Sequence, residues 1–249
     1  MHPIIFKNLK KSFNYGFHSR QKVLESISLK VEKGEVFGFL GPNGAGKSTA
    51  IKIGLGFIKP DNGEVLINGI SSKEISSRKY LGYLPEHPFF YEHLKACELL
   101  EFSGLASGMQ KQDLKTKIDP LLEKMELLLF KNRLVKTFSK GMKQRIGLAM
   151  AMIADPDILV LDEPMSGLDP MGRKLVTDII LELKAAGKTI FFSTHILNDV
   201  ETLCDRIAVL HKGAILYSGS TGNFISGNGN LENAFMNLIK NNNKLSDPL

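Results

Sequence analysis

Apolar and polar residues alternate with a period of two through Ile4–Leu9 and again through Val23–Val31 (VLESISLKV). Each run predicts a strand with one buried face. After the Lys33-Gly34 turn, Glu35–Leu40 (EVFGFL) is mostly apolar, the pattern of a buried strand, and a glycine-rich loop separates it from a helix predicted over Lys47–Ile58. The turn sequences Pro60-Asp61-Asn62-Gly63 and Asn68-Gly69 bracket a strand at Glu64–Asn68, and Leu81–Leu84 is a further short strand. From Tyr91 to Phe138 the period becomes helical, with Leu94, Leu99, Leu100, Leu105, Leu114, Ile118, Leu121, Leu122 and Met125 in register. This marks an inserted helical subdomain, about 91–155. Met142, Ile146, Ala149, Met150 and Ile153 continue that spacing, so Ser139 is placed as the N-cap of a helix.

Strand and helix patterns alternate again after Ala154: a strand at Ile158–Leu161, and a helix from Asp169-Pro170 to about Ala186. A strand at Thr189–Ser193, a helix at Ile196–Leu203, and a hairpin of Arg206–Leu210 and Ala214–Tyr217 follow. Such alternation implies an α/β fold with a largely parallel sheet. The main domain is expected to span 1–220. Residues 221–249 read as a Gly- and Asn-rich tail with one short amphipathic helix, Leu231–Ile239, and the last nine residues are expected to be mobile.

Composition narrows the class without naming a function. The 249 residues are 43% hydrophobic and 23% charged, ordinary values for a globular chain, which sets aside disordered, collagen-like and coiled-coil readings. The longest apolar stretch, Ile146–Ala154, ends at Asp155. It falls well short of the ~18 to 20 residues that cross a bilayer. The four apolar residues before the first lysines are likewise too few for a signal-peptide core, so any membrane work is expected to pass through a partner. The two cysteines, Cys97 and Cys204, form no CxxC and fit a reducing compartment. The net charge of +6 is concentrated between Gln110 and Arg145, where ten Lys/Arg face four Asp/Glu. That segment reads as solvated helix faces or as a surface near anionic headgroups or an acidic partner.

The chemistry begins at Gly41–Thr49, GPNGAGKST, a full GxxxxGK[ST] match between a buried strand and a helix. Glycines let successive backbone N–H groups of Gly41, Pro42, Asn43, Gly44, Ala45 and Gly46 (proline excepted) converge on phosphate oxygens, and the helix start adds positive potential. Lys47 then reaches the β- and γ-phosphates, and the Ser48 hydroxyl, beside Thr49, can ligate Mg2+. Ile158–Pro164 (ILVLDEP) places two carboxylates at a strand's C-terminal edge, where ligands bind in such sheets. Adjacent strand residues point to opposite sides, so Asp162 is assigned to Mg2+ and Glu163 to polarising the attacking water.

In this order GPNGAGKST, FSKGMKQR, ILVLDEP, SGLD (Ser166–Asp169) and His195 resemble the ATP-binding cassette (ABC) family, over about residues 4 to 217. The resemblance implies a P-loop NTPase with a RecA-like core, an antiparallel β subdomain and the inserted helical subdomain. It implies two cassettes packed head to tail, a homodimer or a pair with a related chain. The phosphate loop of one and Ser139 and Gly141 of the other then hold the same ATP, and His195 contacts its γ-phosphate.

Three features depart from the family pattern. His87 (LGYLPEHP) stands where most members carry a glutamine. Imidazole suits hard Mg2+ poorly, so His87 is expected to act by hydrogen bonding or coupling. FSKGM replaces the usual LSGGQ, with Lys140 expected to add positive charge near the triphosphate. The loop SFNYGFHSRQ is extended and offers Phe13, Tyr15 and Phe17 as the aromatic that stacks on adenine, Phe13 being preferred from its KSF context.

The reading is an ATPase, using ATP and Mg2+, that energises a separate integral-membrane permease of a bacterial export-type system from the cytoplasmic face. Phe89, Phe90 and Tyr91 are candidate permease anchors. The alternative is a soluble cassette ATPase serving a cytosolic assembly, such as iron–sulfur cluster assembly. No nucleic-acid partner is expected, because the chain lacks a basic stripe with interleaved aromatics.

Overall fold

The computed structural model describes residues 2–15 and 19–246. In chain order the elements are β1 (Ile4–Tyr15), β2 (Ser19–Val31), β3 (Val36–Leu40), α1 (Lys47–Gly54), β4 (Asn62–Ile67) and β5 (Ile70–Ser71). There follow β6 (Leu81–Leu84), α2 (Ala96–Ala106), α3 (Lys111–Lys124), α4 (Lys140–Met152), β7 (Ile158–Asp162) and α5 (Pro170–Ala185). Then come β8 (Thr189–Thr194), α6 (Leu197–Leu203), β9 (Arg206–His211), β10 (Ala214–Ser220), α7 (Thr221–Ile225) and α8 (Leu231–Ser246). They divide into two units, one of residues 1–77 and 191–249 and one of residues 78–190, with the chain passing from the second to the first inside β8.

In the first unit β2, β1, β4 and β5 form an antiparallel sheet in that order. The register pairs Ile4 with both Val31 and Ile67, so the period-two apolar positions Ile4, Phe6 and Leu9 are buried with Leu24, Ile27, Leu29 and Val31. β3 pairs in parallel with β9, and β9 with β10 as an antiparallel hairpin. Phe191 of β8 is stacked on Phe37 at 5.7 Å between ring centroids and on Phe6 at 6.0 Å. These rings join the antiparallel sheet to the strand that carries the glycine-rich loop, and such pairs add about 0.5–1.5 kcal/mol each beyond area burial.

Three elements differ from the sequence expectation. Residues 12–15 and 19–21 are strand, with Phe13 opposite Gln21, so the extended loop is mostly hairpin. α1 stops at Gly54 because Gly56 takes φ 73° and the amides of Phe57 and Ile58 both donate to the Lys52 carbonyl. Two helices follow Ser220 where one was expected, and α8 runs to Ser246, through most of the segment expected to be mobile. Ser220 caps α7 by accepting from the Asn223 amide, while Leu231, Ala234, Phe235 and Leu238 of α8 pack on a cluster with Val200, Ile207 and Val209. The polar run beyond Ile239 has no apolar rhythm to announce the helix.

Asp61 ties the β1–β2 hairpin together. It accepts from Lys11 at 3.1 Å, from the Ser12 amide at 2.8 Å and from Arg20 at 2.9 Å. The Lys11 hydrogen bond first, and the Ser12 amide next, lower its pKa from 3.8 to about 2. A carboxylate with a depressed folded pKa contributes stability above its unfolded pKa and loses it as pH falls through the folded one. Amide protection factors, exchange rates corrected for the intrinsic pH dependence, are therefore expected to fall in residues 10–15 and 19–22 between pH 4 and pH 2. Asp61→Asn removes that pH dependence if the assignment is right, and an unchanged acid profile in the variant would count against it.

In the second unit β6 pairs in parallel with β7, Leu81 opposite Ile158 through Leu84 opposite Leu161. Helices α2, α3 and α4 pack together through Leu99, Leu100, Leu114, Ile118, Leu122, Ile146 and Leu148, all buried. The helical periodicity of the inserted segment thus marks most of the buried face of this layer, but Leu105, counted in register, is exposed near the end of α2. Both N-caps read from the sequence are formed: Ser139 accepts from the Met142 amide at 3.2 Å, and Asp169 from the Gly172 amide at 2.7 Å.

Candidate nucleotide-binding site

β3 is buried along its whole length and ends at Leu40, so the next residues, Gly41–Gly46, turn back at the sheet's C-terminal edge before α1 begins at Lys47. A Cβ on Gly41 would collide with the Leu210 carbonyl oxygen, and Gly44 and Gly46 take φ 79° and 108°, the left-handed region that glycine enters without strain. The loop is fixed from behind. The Gly41 amide donates to the Thr194 carbonyl at 3.3 Å, the Ala45 amide to Pro42 at 3.2 Å, and the Gly213 amide to the Ala45 carbonyl at 3.1 Å. The β9–β10 turn that supplies Gly213 carries no motif, and sequence reading missed this support.

The Lys47 side chain folds over the loop and donates to the Gly41 carbonyl at 2.7 Å and the Pro42 carbonyl at 3.4 Å, with only 6% of its surface exposed. A cation held this way, above a cradle of backbone amides at a helix start, has the donor set for a polyphosphate. Ser48 and Thr49 lie in the first turn of α1.

His195 follows β8 directly and is exposed, while Thr194 is buried and accepts from the Ile196 amide at 3.0 Å. Phe13 is half-buried on β1, with the Lys11 ammonium 5.2 Å from its ring centroid. It therefore sits on a paired strand and not in a loop. The side chain of Tyr15 and all of Phe17 lie outside the described residues.

In the second unit Asp162 ends β7 and is buried, 1% exposed, and Glu163 follows at 6%. Strand alternation does not set their directions, as the sequence reading assumed, because Glu163 has left the strand with φ 51°. The buried Gln144 amide, on α4, donates to the Pro164 carbonyl at 3.1 Å and the Glu163 carbonyl at 3.5 Å. Sequence reading missed Gln144, which shows only as a polar residue on an otherwise apolar helix face. Tyr83 of β6 is pushed up to about 12 by burial and, after it, by the carboxylates of Asp162 and Glu86, so its phenol stays protonated at neutral pH.

Ser139, Gly141 and Met142 line a cleft of about 380 Å3 with Gly167, Leu168 and Asp169 of the SGLD segment. The Lys140 ammonium would stand 2.7 Å from a Cβ on Gly167, so the glycine's bareness lets this lysine lie across the segment. His87 is exposed beside Glu86, 3.8 Å away. Phe89 and Tyr91 are exposed, 93% and 51%, whereas Phe90 is buried, its ring against Gly147, and so is removed from the candidate anchors.

Among the described residues no group of three or more His, Cys, Asp or Glu gathers to cage a metal. Ser48 in the first unit and Asp162 in the second each offer a hard oxygen of the kind that Mg2+ prefers.

The family model described as ABC transporter matches residues 24–166, more than half of the chain. An uncharacterized ABC transporter ATP-binding protein of Nostoc is 44% identical over 223 residues, 87% of this chain and 66% of the relative. The chain belongs to the ABC transporter family. A similarly named protein of Methanocaldococcus jannaschii is 41% identical over 86% of this chain and 76% of its own length. This ABC chain spans 66% of the Nostoc relative's length and 61% of that of a Synechocystis relative.

Among solved structures, the ATP-binding subunit of an ABC transporter superposes with TM-score 0.85 at 32% identity, over 95% of this chain and 99% of that one. An ATP-binding cassette in a dimeric post-hydrolysis state with ADP and Pi superposes with TM-score 0.80 at 25% identity, over 87% and 98%. The ABC fold here is accordingly the RecA-like P-loop core with its antiparallel β subdomain and helical insertion. Among the described residues of this ABC chain no helix is long and apolar enough to cross a membrane.

Proposed function

We propose that this chain binds and hydrolyses ATP as one of two head-to-tail cassettes, and that the pair energises a separate membrane permease from its cytoplasmic face. The phosphate cradle of Gly41–Gly46 closed by Lys47 is the observation that carries the nucleotide part of this reading. Residues 1–220 form the cassette, 91–155 its helical subdomain and 221–249 the tail. The loop amides and Lys47 bind and orient the triphosphate, Phe13 stacks on adenine, and His195 donates to the γ-phosphate. Glu163 takes up the proton of the attacking water as general base, a role whose removal typically lowers rates by about 10²–10⁴-fold. Ser48 and Asp162 would hold Mg2+, which would neutralise phosphate charge.

Ser139 and Gly141, at the N-terminus of α4, bind the γ-phosphate held by the partner cassette, and Lys140 adds a cation there. The dimeric cassette structures support a second cassette. The names of the relatives support a transporter partner. Exposed Phe89 and Tyr91, next to His87, suit a permease contact.

The test is a mild-detergent pull-down of the tagged Glu163→Gln chain from its host's membranes with ATP present. Recovery of a polytopic membrane protein is expected. Recovery of soluble proteins alone, with the chain absent from washed membranes, would replace the permease by a cytosolic assembly.

A further inference from the structure

Glu163 has an unusual backbone. Its φ of 51° lies in the left-handed region, which disfavours an L-residue other than glycine by roughly 1–2 kcal/mol. It also precedes Pro164, a position where the chain is ordinarily extended. A conformation disfavoured on both counts persists only where its surroundings over-determine it. Its neighbours supply such restraints: the Ser166 amide donates to the Glu163 carbonyl at 3.0 Å, and Gln144 Nε2 donates to the Glu163 and Pro164 carbonyls at 3.5 and 3.1 Å. With carbonyls as its partners, the amide's orientation is fixed, since only its NH2 can donate to them. Gln144 is 4% exposed, so losing it would leave a buried carbonyl without its side-chain donor.

Gln144 stands on α4, whose N-cap is Ser139, five residues earlier and about 7.5 Å along the axis at 1.5 Å per residue. One rigid helix therefore carries both the end assigned to the partner's ATP and the amide that fixes the chain's own base. We infer that Gln144 is a positioning residue through which engagement of Ser139 at one ATP sets the placement of Glu163 at the other. This inference rests on the two-cassette reading above. Its physical content is a coupling free energy between the two sites: whatever α4 gains by docking on the partner's triphosphate is felt at the Glu163–Pro164 turn. The contact also explains why a polar side chain is kept inside an apolar helical layer.

The test uses the full chain with Gln144→Leu and Gln144→Glu, measuring ATP affinity, turnover and the Hill coefficient for ATP. Displacing a catalytic group by about 1 Å lowers rates on the order of 10²-fold. In Gln144→Leu turnover is expected to fall by about 10- to 100-fold. ATP affinity should stay near wild type, melting temperature should fall by several degrees as a buried carbonyl loses its donor, and a wild-type Hill coefficient above one should drop to one.

Gln144→Glu keeps the shape but turns an acceptor toward two carbonyls. Protonation restores one donor, so its deficit relative to wild type should shrink as pH falls. Wild-type turnover and cooperativity in Gln144→Leu would overturn the inference. So would a rate loss that merely tracks lowered melting temperature, with no pH-dependent recovery in Gln144→Glu. A wild-type chain with no ATP turnover would instead overturn the functional reading itself, and the inference with it.

Discussion

Glu163→Gln is expected to lower ATP turnover by about 10²–10⁴-fold while ATP still binds. The substitution keeps the side chain's length and volume, and it leaves in place the hydrogen bonds that the Ser166 amide and Gln144 make to the residue 163 carbonyl. What it removes is the only feature that lets this group accept a proton from water. Because the proposed site holds ATP between two cassettes and the variant does not consume it, the variant should accumulate as an ATP-bound dimer. Size-exclusion chromatography with and without ATP, beside a steady-state phosphate-release assay, reads both effects. Turnover within a few-fold of wild type would take the base away from Glu163.

The second large effect is expected at the other end of the same reaction. Lys47→Ala should weaken ATP binding by about 10- to 100-fold, since a hydrogen bond to a charged group contributes about 1.5–3 kcal/mol. The loop should survive the change. Its shape is held by the amides of Gly41, Ala45 and Gly213, while Lys47 spans the carbonyls of Gly41 and Pro42. Titration calorimetry with ATP then separates the two variants: Glu163→Gln binds and does not turn over, whereas Lys47→Ala scarcely binds. An unaltered affinity in Lys47→Ala, with the protein still folded, would show that the lysine acts only within the loop.

Much of this was legible in the sequence because local chemistry and tertiary demand coincide. A buried strand, a run of glycines and a helix start leave the phosphate loop little freedom, and both helix caps, Ser139 and Asp169, formed as their side chains require. The hairpin around Phe13 was misread because its pairing, Phe13 opposite Gln21, is a cross-strand property that polar residues do not advertise. The conformation of Glu163 was misread for a related reason. Period-two alternation describes a strand, and the chain leaves the strand one residue earlier, at Asp162. Gln144 and Gly213 act through contacts nineteen residues and more away in sequence, on groups that every residue possesses, so no pattern of side-chain types could reveal them.

The left-handed backbone at position 163 has an evolutionary consequence. On conformational grounds glycine or asparagine suits that position better than glutamate. Selection for thermal resistance alone would therefore drift toward those residues and discard the proposed general base. With Glu163 as the proposed base, this is a site where stability is surrendered to activity, and a stabilised descendant of this chain that keeps Glu163 must find its gains elsewhere.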